Sequence, residues 1–242
     1  MSYIEVTKMK RRDFVTHMNS AESQPGGSRG QQRKEEARKI LLERDFDRLG
    51  RWVKTERMAV RTLSSLLFDG DRLVCWRAAE ALGRVAALEC ERDPEKIRRL
   101  LRRLFWQLND ESGNLGWYAP QAIAEILANA PSFLAEHARV LVSFLPEEPF
   151  EIGVRWGLAR IAAMDKKVFE DTVAGELLLR SLSEPDKDLL GFTLYALKAL
   201  EVKVDPADIA PFKTDPHELE IYSWRTGEFG KTTIARLADE LL

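Results

Sequence analysis

The amino-acid sequence predicts an all-α protein, an elongated solenoid built from pairs of helices. Four segments carry apolar residues at positions i, i+3, i+4 and i+7, and they recur about every 40 residues. Each of the four follows another amphipathic segment with the same spacing, so the repeating unit is two helices. A small residue occupies the same register position in all four, where neighbouring helices must approach closely: Ala81, Ala122, Gly157 and Ala196.

Both helices of each predicted pair are identified by their apolar stripes. The predicted second helices carry Ala78, Ala81, Leu82 and Val85, then Ala119, Ala122, Ile123 and Ile126, then Val154, Gly157, Leu158 and Ile161, then Thr193, Ala196, Leu197 and Leu200. The predicted first helices contain Val60 to Leu67, Ile97 to Leu104, Ala138 to Leu145 and Ala174 to Ser181.

The segment RAAEALG at Arg77–Gly83 resembles the second helix of a HEAT repeat. It is most similar to the short HEAT-like repeats of proteins related to phycobilin lyases, and the resemblance extends over about residues 33 to 202. This resemblance implies an armadillo-like curved stack that binds another macromolecule along its inner helices. It does not by itself imply catalysis.

Composition divides the chain into three predicted parts. Residues 1–32 form a flexible extension, because Ser20–Gln32 is rich in Gly, Ser and Gln, although Ser2–Lys8 is compatible with a short strand. Residues 33–204 form the HEAT-like repeat solenoid, which begins with a charged helix from Arg33 to about Glu43. Residues 205–242 form a C-terminal cap with a β-hairpin, Glu218–Ser223 and Glu228–Thr233, and a final amphipathic helix.

Charge and hydropathy limit the classes of partner. The formal net charge is −2, so no global field attracts the chain to nucleic acid or to a membrane. No run approaches the ~18 apolar residues of a membrane span, and the N-terminus lacks a signal-peptide core. Two cysteines, Cys75 and Cys90, suit a reducing compartment better than a disulfide scaffold. We therefore expect a cytoplasmic protein.

No motif in the sequence indicates a reaction. Gly230-Lys231-Thr232 is similar to the end of a phosphate-binding loop, but Arg225 stands where that motif requires glycine. The histidines at 17, 137 and 217 have no metal-ligand spacing, so we expect neither a metal nor another cofactor. The sequence favours a binding function over an enzymatic one.

Candidate partner-binding residues follow from the predicted inner helices. If Ala78, Ala81 and Val85 face the core, the residues one position before, two positions after and six positions after Ala78 lie on one surface. Together with the equivalent residues of the other three helices they form one surface stripe. Aromatic residues and arginine dominate that stripe, and both are enriched at interface hot spots. The predicted site consists of Arg77, Glu80, Arg84, Tyr118, Gln121, Glu125, Trp156, Arg160, Phe192 and Tyr195. In the alternative interpretation, Trp156 and Phe192 pack against neighbouring repeats and Arg77 joins an inter-repeat Asp–Arg ladder.

These observations favour a non-enzymatic scaffold that binds another protein along its inner helices. The first alternative is nucleic-acid binding in a concave groove, as in HEAT-like DNA glycosylases. The basic helix containing Arg98–Arg103 supports it, whereas the net charge and the carboxylates of Glu80 and Glu125 oppose it. The second alternative, a lyase or chaperone for a tetrapyrrole-bearing protein, follows only from the resemblance.

Overall fold

The computed structural model describes residues 28–109 and 116–242, and in this part the chain is an all-α solenoid with a small two-stranded sheet. The twelve α-helices in these residues confirm the predicted fold class. They are α1 (Arg29–Glu43), α2 (Phe46–Thr55), α3 (Ala59–Leu66), α4 (Arg72–Glu89), α5 (Pro94–Leu108), α6 (Ala119–Asn129), α7 (Leu134–Val142), α8 (Glu151–Asp165), α9 (Ala174–Arg180), α10 (Lys187–Leu200), α11 (Pro206–Ile209) and α12 (Ile234–Asp239). Short 3₁₀ segments follow at Pro131–Phe133, Lys166–Phe169, Ser181–Ser183 and Ala210–Phe212.

The helix pairs form two layers. Helices α4, α6, α8 and α10 pack directly on one another as the inner layer, and α3, α5, α7 and α9 lie on their outer side. The small residues at the shared register position are all buried, as the close approach of the helices requires. At Gly157, an added Cβ would lie 3.1 Å from the Cβ of Ala124 on the preceding inner helix.

Acidic side chains fix where several helices begin. Asp71 accepts a hydrogen bond from the main-chain N–H of Leu73 at the start of α4. Asp93 does the same for Lys96 at the start of α5, where Pro94 occupies the first turn. Both carboxylates satisfy main-chain donors that have no partner within the helix.

The first helix begins earlier than the sequence predicts. Helix α1 starts at Arg29 rather than Arg33, because the Ser28 side chain caps the N–H of Gln31 and the following polar residues are good helix formers. The predicted strand at Ser2–Lys8 and the linker residues before Ser28 lie outside the described residues.

The C-terminal hairpin has the predicted strands. Strand β1 (Glu218–Ser223) pairs antiparallel with β2 (Glu228–Thr233), with Tyr222 opposite Phe229. The turn ends at Gly227, whose φ of 75° favours glycine, and a Cβ there would lie 2.3 Å from the Arg44 side chain. Helix α12 packs on α10, the last inner helix, where a terminal cap is expected.

Candidate functional site

The inner face of the solenoid holds the chain's own hairpin. The indole Nε1 of Trp156 on α8 donates to the carbonyl oxygen of Tyr222 at 2.8 Å. The guanidinium of Arg77 on α4 donates to the carbonyl of Gly227 at 3.1 Å, and that of Arg44, just after α1, donates to the carbonyl of Trp224 at 2.7 Å. All three contacts are made to main-chain carbonyl oxygen atoms of the hairpin and its turn.

Two buried carboxylates organise the charges beneath the hairpin. Glu80 accepts hydrogen bonds from the Arg44 guanidinium at 3.1 Å and from the Tyr222 hydroxyl at 3.0 Å. Glu125 accepts from Nε of Arg160 at 3.0 Å. Burial raises the pKa of Glu125, although the charge and hydrogen bond of Arg160 act in the opposite direction. Burial also raises the pKa of Tyr222, and the neighbouring Glu80 adds to the effect.

An aromatic cluster fills the space between the hairpin and the inner helices. The Trp76 ring on α4 stacks on Tyr222, with ring centroids 4.9 Å apart, and meets Trp156 edge-on at 4.7 Å. Tyr118 and Phe229 approach the same ring edge-on at 6.0 Å. Such edge-on and offset pairs add about 0.5–1.5 kcal/mol each beyond their buried area, so the cluster contributes strongly to holding the hairpin.

The structure brings most of the ten predicted partner-binding residues together, but beneath the hairpin. Arg84 is exposed with its guanidinium 4.6 Å from the Phe46 ring centroid, and Tyr195 is half-buried. The other eight side chains are buried, and those of Arg77, Glu80, Trp156 and Arg160 contact the hairpin or its turn directly. These eight buried residues are Arg77, Glu80, Tyr118, Gln121, Glu125, Trp156, Arg160 and Phe192.

The packing interpretation of these residues differs from the structure in its details. Arg77 bonds carbonyl oxygens rather than an aspartate ladder: besides Gly227, its Nη1 donates to Leu41 at 3.1 Å and to Leu42 at 2.6 Å. Trp156 is fully buried against the hairpin and Trp76, rather than only against the next repeat. The arginine therefore ties the end of α1 to the hairpin turn.

The two edges of the hairpin differ in their hydrogen bonding. The carbonyls of Tyr222 and Glu220 on β1 accept from Trp156 and Arg72, so these groups point away from β2. Opposite residues in an antiparallel pair share their orientation, and hence the main-chain groups of Phe229 and Lys231 point outward from β2. In residues 28–109 and 116–242 no group bonds these outward donors and acceptors. The outer edge of β2 is therefore open.

A cleft of about 470 Å³ lies beside this edge, between the hairpin, α10 and α12. We call it the Gly230 cleft, because Gly230 has no side chain to fill it and an added Cβ would meet only the Ile221 carbonyl, at 4.0 Å. Burial raises the pKa of Tyr195 to about 12 against the opposing charge of Arg225, so the phenol keeps its proton at neutral pH. The cleft residues that carry charge are Lys198, Arg225, Lys231, Arg236 and Glu240.

The basic helix lies on the opposite side of the molecule from the buried stripe. Helix α5, which carries Arg98–Arg103, belongs to the outer layer, and the Arg98 side chain is paired with Glu95 and Glu136. Within the described residues no cluster of three metal-ligating side chains occurs, and no helix there is long and apolar enough to cross a membrane. The surfaces required for a concave nucleic-acid groove are thus separated.

Sequence comparison identifies a relative. No family model matches the chain. An uncharacterized protein of Archaeoglobus fulgidus is 31% identical to it over 169 residues, which are 69% of this chain and 87% of the archaeal protein. The chain belongs to the same family as this archaeal protein. The match establishes this kinship without naming an activity.

Structural comparison shows that the overall fold of the chain is similar to that of a solved structure. The crystal structure of an engineered protein is similar with a TM-score of 0.54 at 19% identity, covering 96% of this chain and 95% of the other. A designed armadillo repeat protein is similar with a TM-score of 0.48 at 17% identity, covering 95% and 97%, a level too low to support a fold assignment. Neither likeness identifies HEAT repeats of the phycobilin-lyase type, so that finer assignment stays a prediction.

Sequence reasoning found the hairpin but missed where it binds. The functional residues that it missed are Arg44, Tyr222 and Trp224, with Gly230 beside them. A signal was present, because both faces of the hairpin carry large apolar residues: Leu219 and Ile221 on one face, Tyr222 and Phe229 on the other. A two-stranded hairpin that is apolar on both faces must be covered on both, and the aromatic inner stripe is the matching surface.

Proposed function

We propose that the protein is a non-enzymatic scaffold that binds an extended segment of another protein on the inner side of the solenoid, by adding that segment as a third strand to β2. The observation that carries the proposal is the difference between the two edges of the hairpin. The inner helices bind the outward carbonyls of β1, whereas the outward groups of Phe229 and Lys231 on β2 have no partner in the described residues.

Strand addition uses a surface that is already built. Tyr222 is 1% exposed and Leu219 is 3% exposed, so the hairpin is anchored on its inner helices as firmly as a core element. A fixed edge strand offers main-chain donors and acceptors that need no further ordering, and such edges bind extended peptides in other folds. The solenoid then acts as a rigid support for one open strand.

The experiment is affinity purification of the tagged full-length chain from its source cells, with two substitutions of one residue. Lys231→Pro removes the outward N–H of β2, at an edge position where proline is tolerated. Lys231→Ala removes the ammonium group but keeps the N–H. We expect the wild type and Lys231→Ala to retain the same partner and Lys231→Pro to lose it.

The two variants separate main-chain recognition from charge. If Lys231→Pro retained the partner at the wild-type level while its unfolding curve was unchanged, strand addition would be ruled out. Loss with Lys231→Ala as well as with Lys231→Pro would assign the interaction to the lysine charge instead. Nuclease treatment in parallel tests the nucleic-acid alternative, for which recovery would depend on intact nucleic acid.

A further inference from the structure

We infer that the Gly230 cleft receives an acidic side chain, Asp or Glu, from the segment that pairs with β2. This inference rests on the proposed function and adds the chemistry of the partner. In a sheet, residues directly opposite each other on neighbouring strands share a face. A residue placed opposite Gly230 on an added strand therefore points to the face on which the cleft lies.

The cleft has room for that side chain because one of its lining residues has no side chain and two others have short ones. Gly230 contributes no side chain, and Ser223 and Thr232, which share its face of the hairpin, are small. The volume of about 470 Å³ exceeds what one side chain needs, so the carboxylate can enter together with water.

Hydrogen-bond donors without an acceptor converge on the cleft. Tyr195, Trp224 and Arg225 line it, and the side-chain donors of these three residues have no hydrogen-bond acceptor among the described residues. The Trp224 ring is itself fixed, because it lies edge-on to Trp156 at 5.8 Å and 5.1 Å from the Arg160 guanidinium carbon. A ligand group that accepts hydrogen bonds suits these donors.

The charge balance of the cleft favours a negative acceptor. The single carboxylate among its lining residues, Glu240, is already bonded to Lys198 at 2.8 Å and to Arg236 at 3.1 Å. Lys231 lies on the other face of the hairpin, where it meets Glu218 at 3.8 Å, and Arg225 has no ion-pair partner among the described residues. Arg225 thus remains as a cation for an incoming carboxylate, and a charged acceptor gives a stronger hydrogen bond than a neutral one.

A defined probe tests the inference without knowledge of the natural partner. A library of random peptides displayed on phage is selected on the immobilised full-length chain, on Gly230→Val, on Arg225→Glu and on Lys231→Pro. Valine at 230 fits the open space and suits a strand, so it occupies the part of the cleft next to residue 230 while β2 and its edge remain. Unfolding curves confirm that each variant is folded.

We expect the wild type to enrich extended peptides with Asp or Glu at one fixed position, at least about tenfold over the unselected library, a ratio worth about 1.4 kcal/mol. Gly230→Val and Arg225→Glu should still enrich peptides but lose the acidic position. Wild-type peptides without an acidic preference would overturn the cleft inference and leave strand addition standing. If the wild type enriched nothing that Lys231→Pro did not, strand addition would be overturned, and the cleft inference with it.

Discussion

The hydroxyl of Tyr222 donates to the carboxylate of Glu80 at 3.0 Å, and this bond joins the C-terminal hairpin to the first full repeat. Glu80 is 2% exposed and also binds Arg44, the residue that follows α1. Arg44 adopts a left-handed φ of 52°, which is unfavourable for a side chain with a Cβ. Its bonds to Glu80 and to the Trp224 carbonyl offset that cost. The residue after α1, helix α4 and the hairpin therefore meet at the Glu80 carboxylate.

Replacement of Tyr222 by phenylalanine removes the bond to Glu80 and keeps the ring. We expect the free energy of unfolding to fall by about 1–3 kcal/mol, because a hydrogen bond to a buried charge is lost. Tyr195→Phe is the matched control: its hydroxyl has no acceptor in the described residues, so its change should stay within about 0.5 kcal/mol. Urea unfolding of the two variants gives the comparison, and equal losses would contradict the assigned role of the bond.

Replacement of Trp156 by alanine should destabilise the whole chain rather than remove a partner contact. Trp156 is fully buried, and its indole bonds the Tyr222 carbonyl. A large cavity in such a site costs about 3–5 kcal/mol. Thermal unfolding measures the effect. A melting curve like that of the wild type would show that the hairpin does not cover this residue in solution.

The repeat helices could be predicted from sequence because their signals are local. The period of 3.6 residues, the N-capping Asp71 and Asp93, and the small residues at the helix contacts all act within one or two neighbouring elements. The same periodicity also placed Trp156 and Arg160 on the inner face, where the structure has them.

The occupant of the inner face could not be predicted in this way. Its position depends on contacts such as that of Arg44 with Trp224, between residues 180 positions apart, and helical periodicity contains no information about such pairs. Periodicity also does not distinguish Arg84, which stays exposed, from Arg160, which is buried with Glu125. The open edge of β2 consists of main-chain donors and acceptors, which a pattern of side chains does not predict.

Two glycines inside helices should respond to alanine in opposite directions. At Gly83 on α4, a Cβ would lie 2.6 Å from the main-chain oxygen of Glu125 on α6, so Gly83→Ala forces two inner helices apart. We expect a loss of about 1–3 kcal/mol. At Gly50 on α2 the nearest atom is 3.8 Å away, so Gly50→Ala should gain up to about 1 kcal/mol through helix propensity. Chemical denaturation measures both, and a loss at Gly50 would contradict the packing described for α2.

Stability should decline as the pH rises through the weakly acidic range. Burial raises the pKa of Glu125 above its ordinary value of 4.5, so the folded chain keeps a proton that the unfolded chain has released. The free energy of unfolding therefore falls with increasing pH from about 4.5 up to the raised pKa, and this contribution is constant above it. Unfolding of the wild type and of Glu125→Gln over this range shows the effect as a slope that the variant lacks. An identical slope in both would assign the dependence to another group.

Substitution by proline should distinguish the outward N–H groups of β2 from those that point toward β1. Lys231 directs its N–H outward and Thr232 directs its N–H toward β1. Lys231→Pro should therefore change the free energy of unfolding by less than about 1 kcal/mol, whereas Thr232→Pro should cost about 3 kcal/mol or more, because it removes a bond of the hairpin. Equal losses in the two variants would mean that the outward groups of β2 are not open.

The long-range bond from Arg44 to Trp224 changes the folding behaviour expected of a repeat stack. In an open solenoid each repeat contacts only its neighbours, so contact order is low and terminal repeats can unfold separately. Here residues 180 positions apart are bonded, and the hairpin joins α4 to α8 and α10. Unfolding should accordingly be all-or-none, and during synthesis the first helices reach their final packing only when the hairpin residues have left the ribosome.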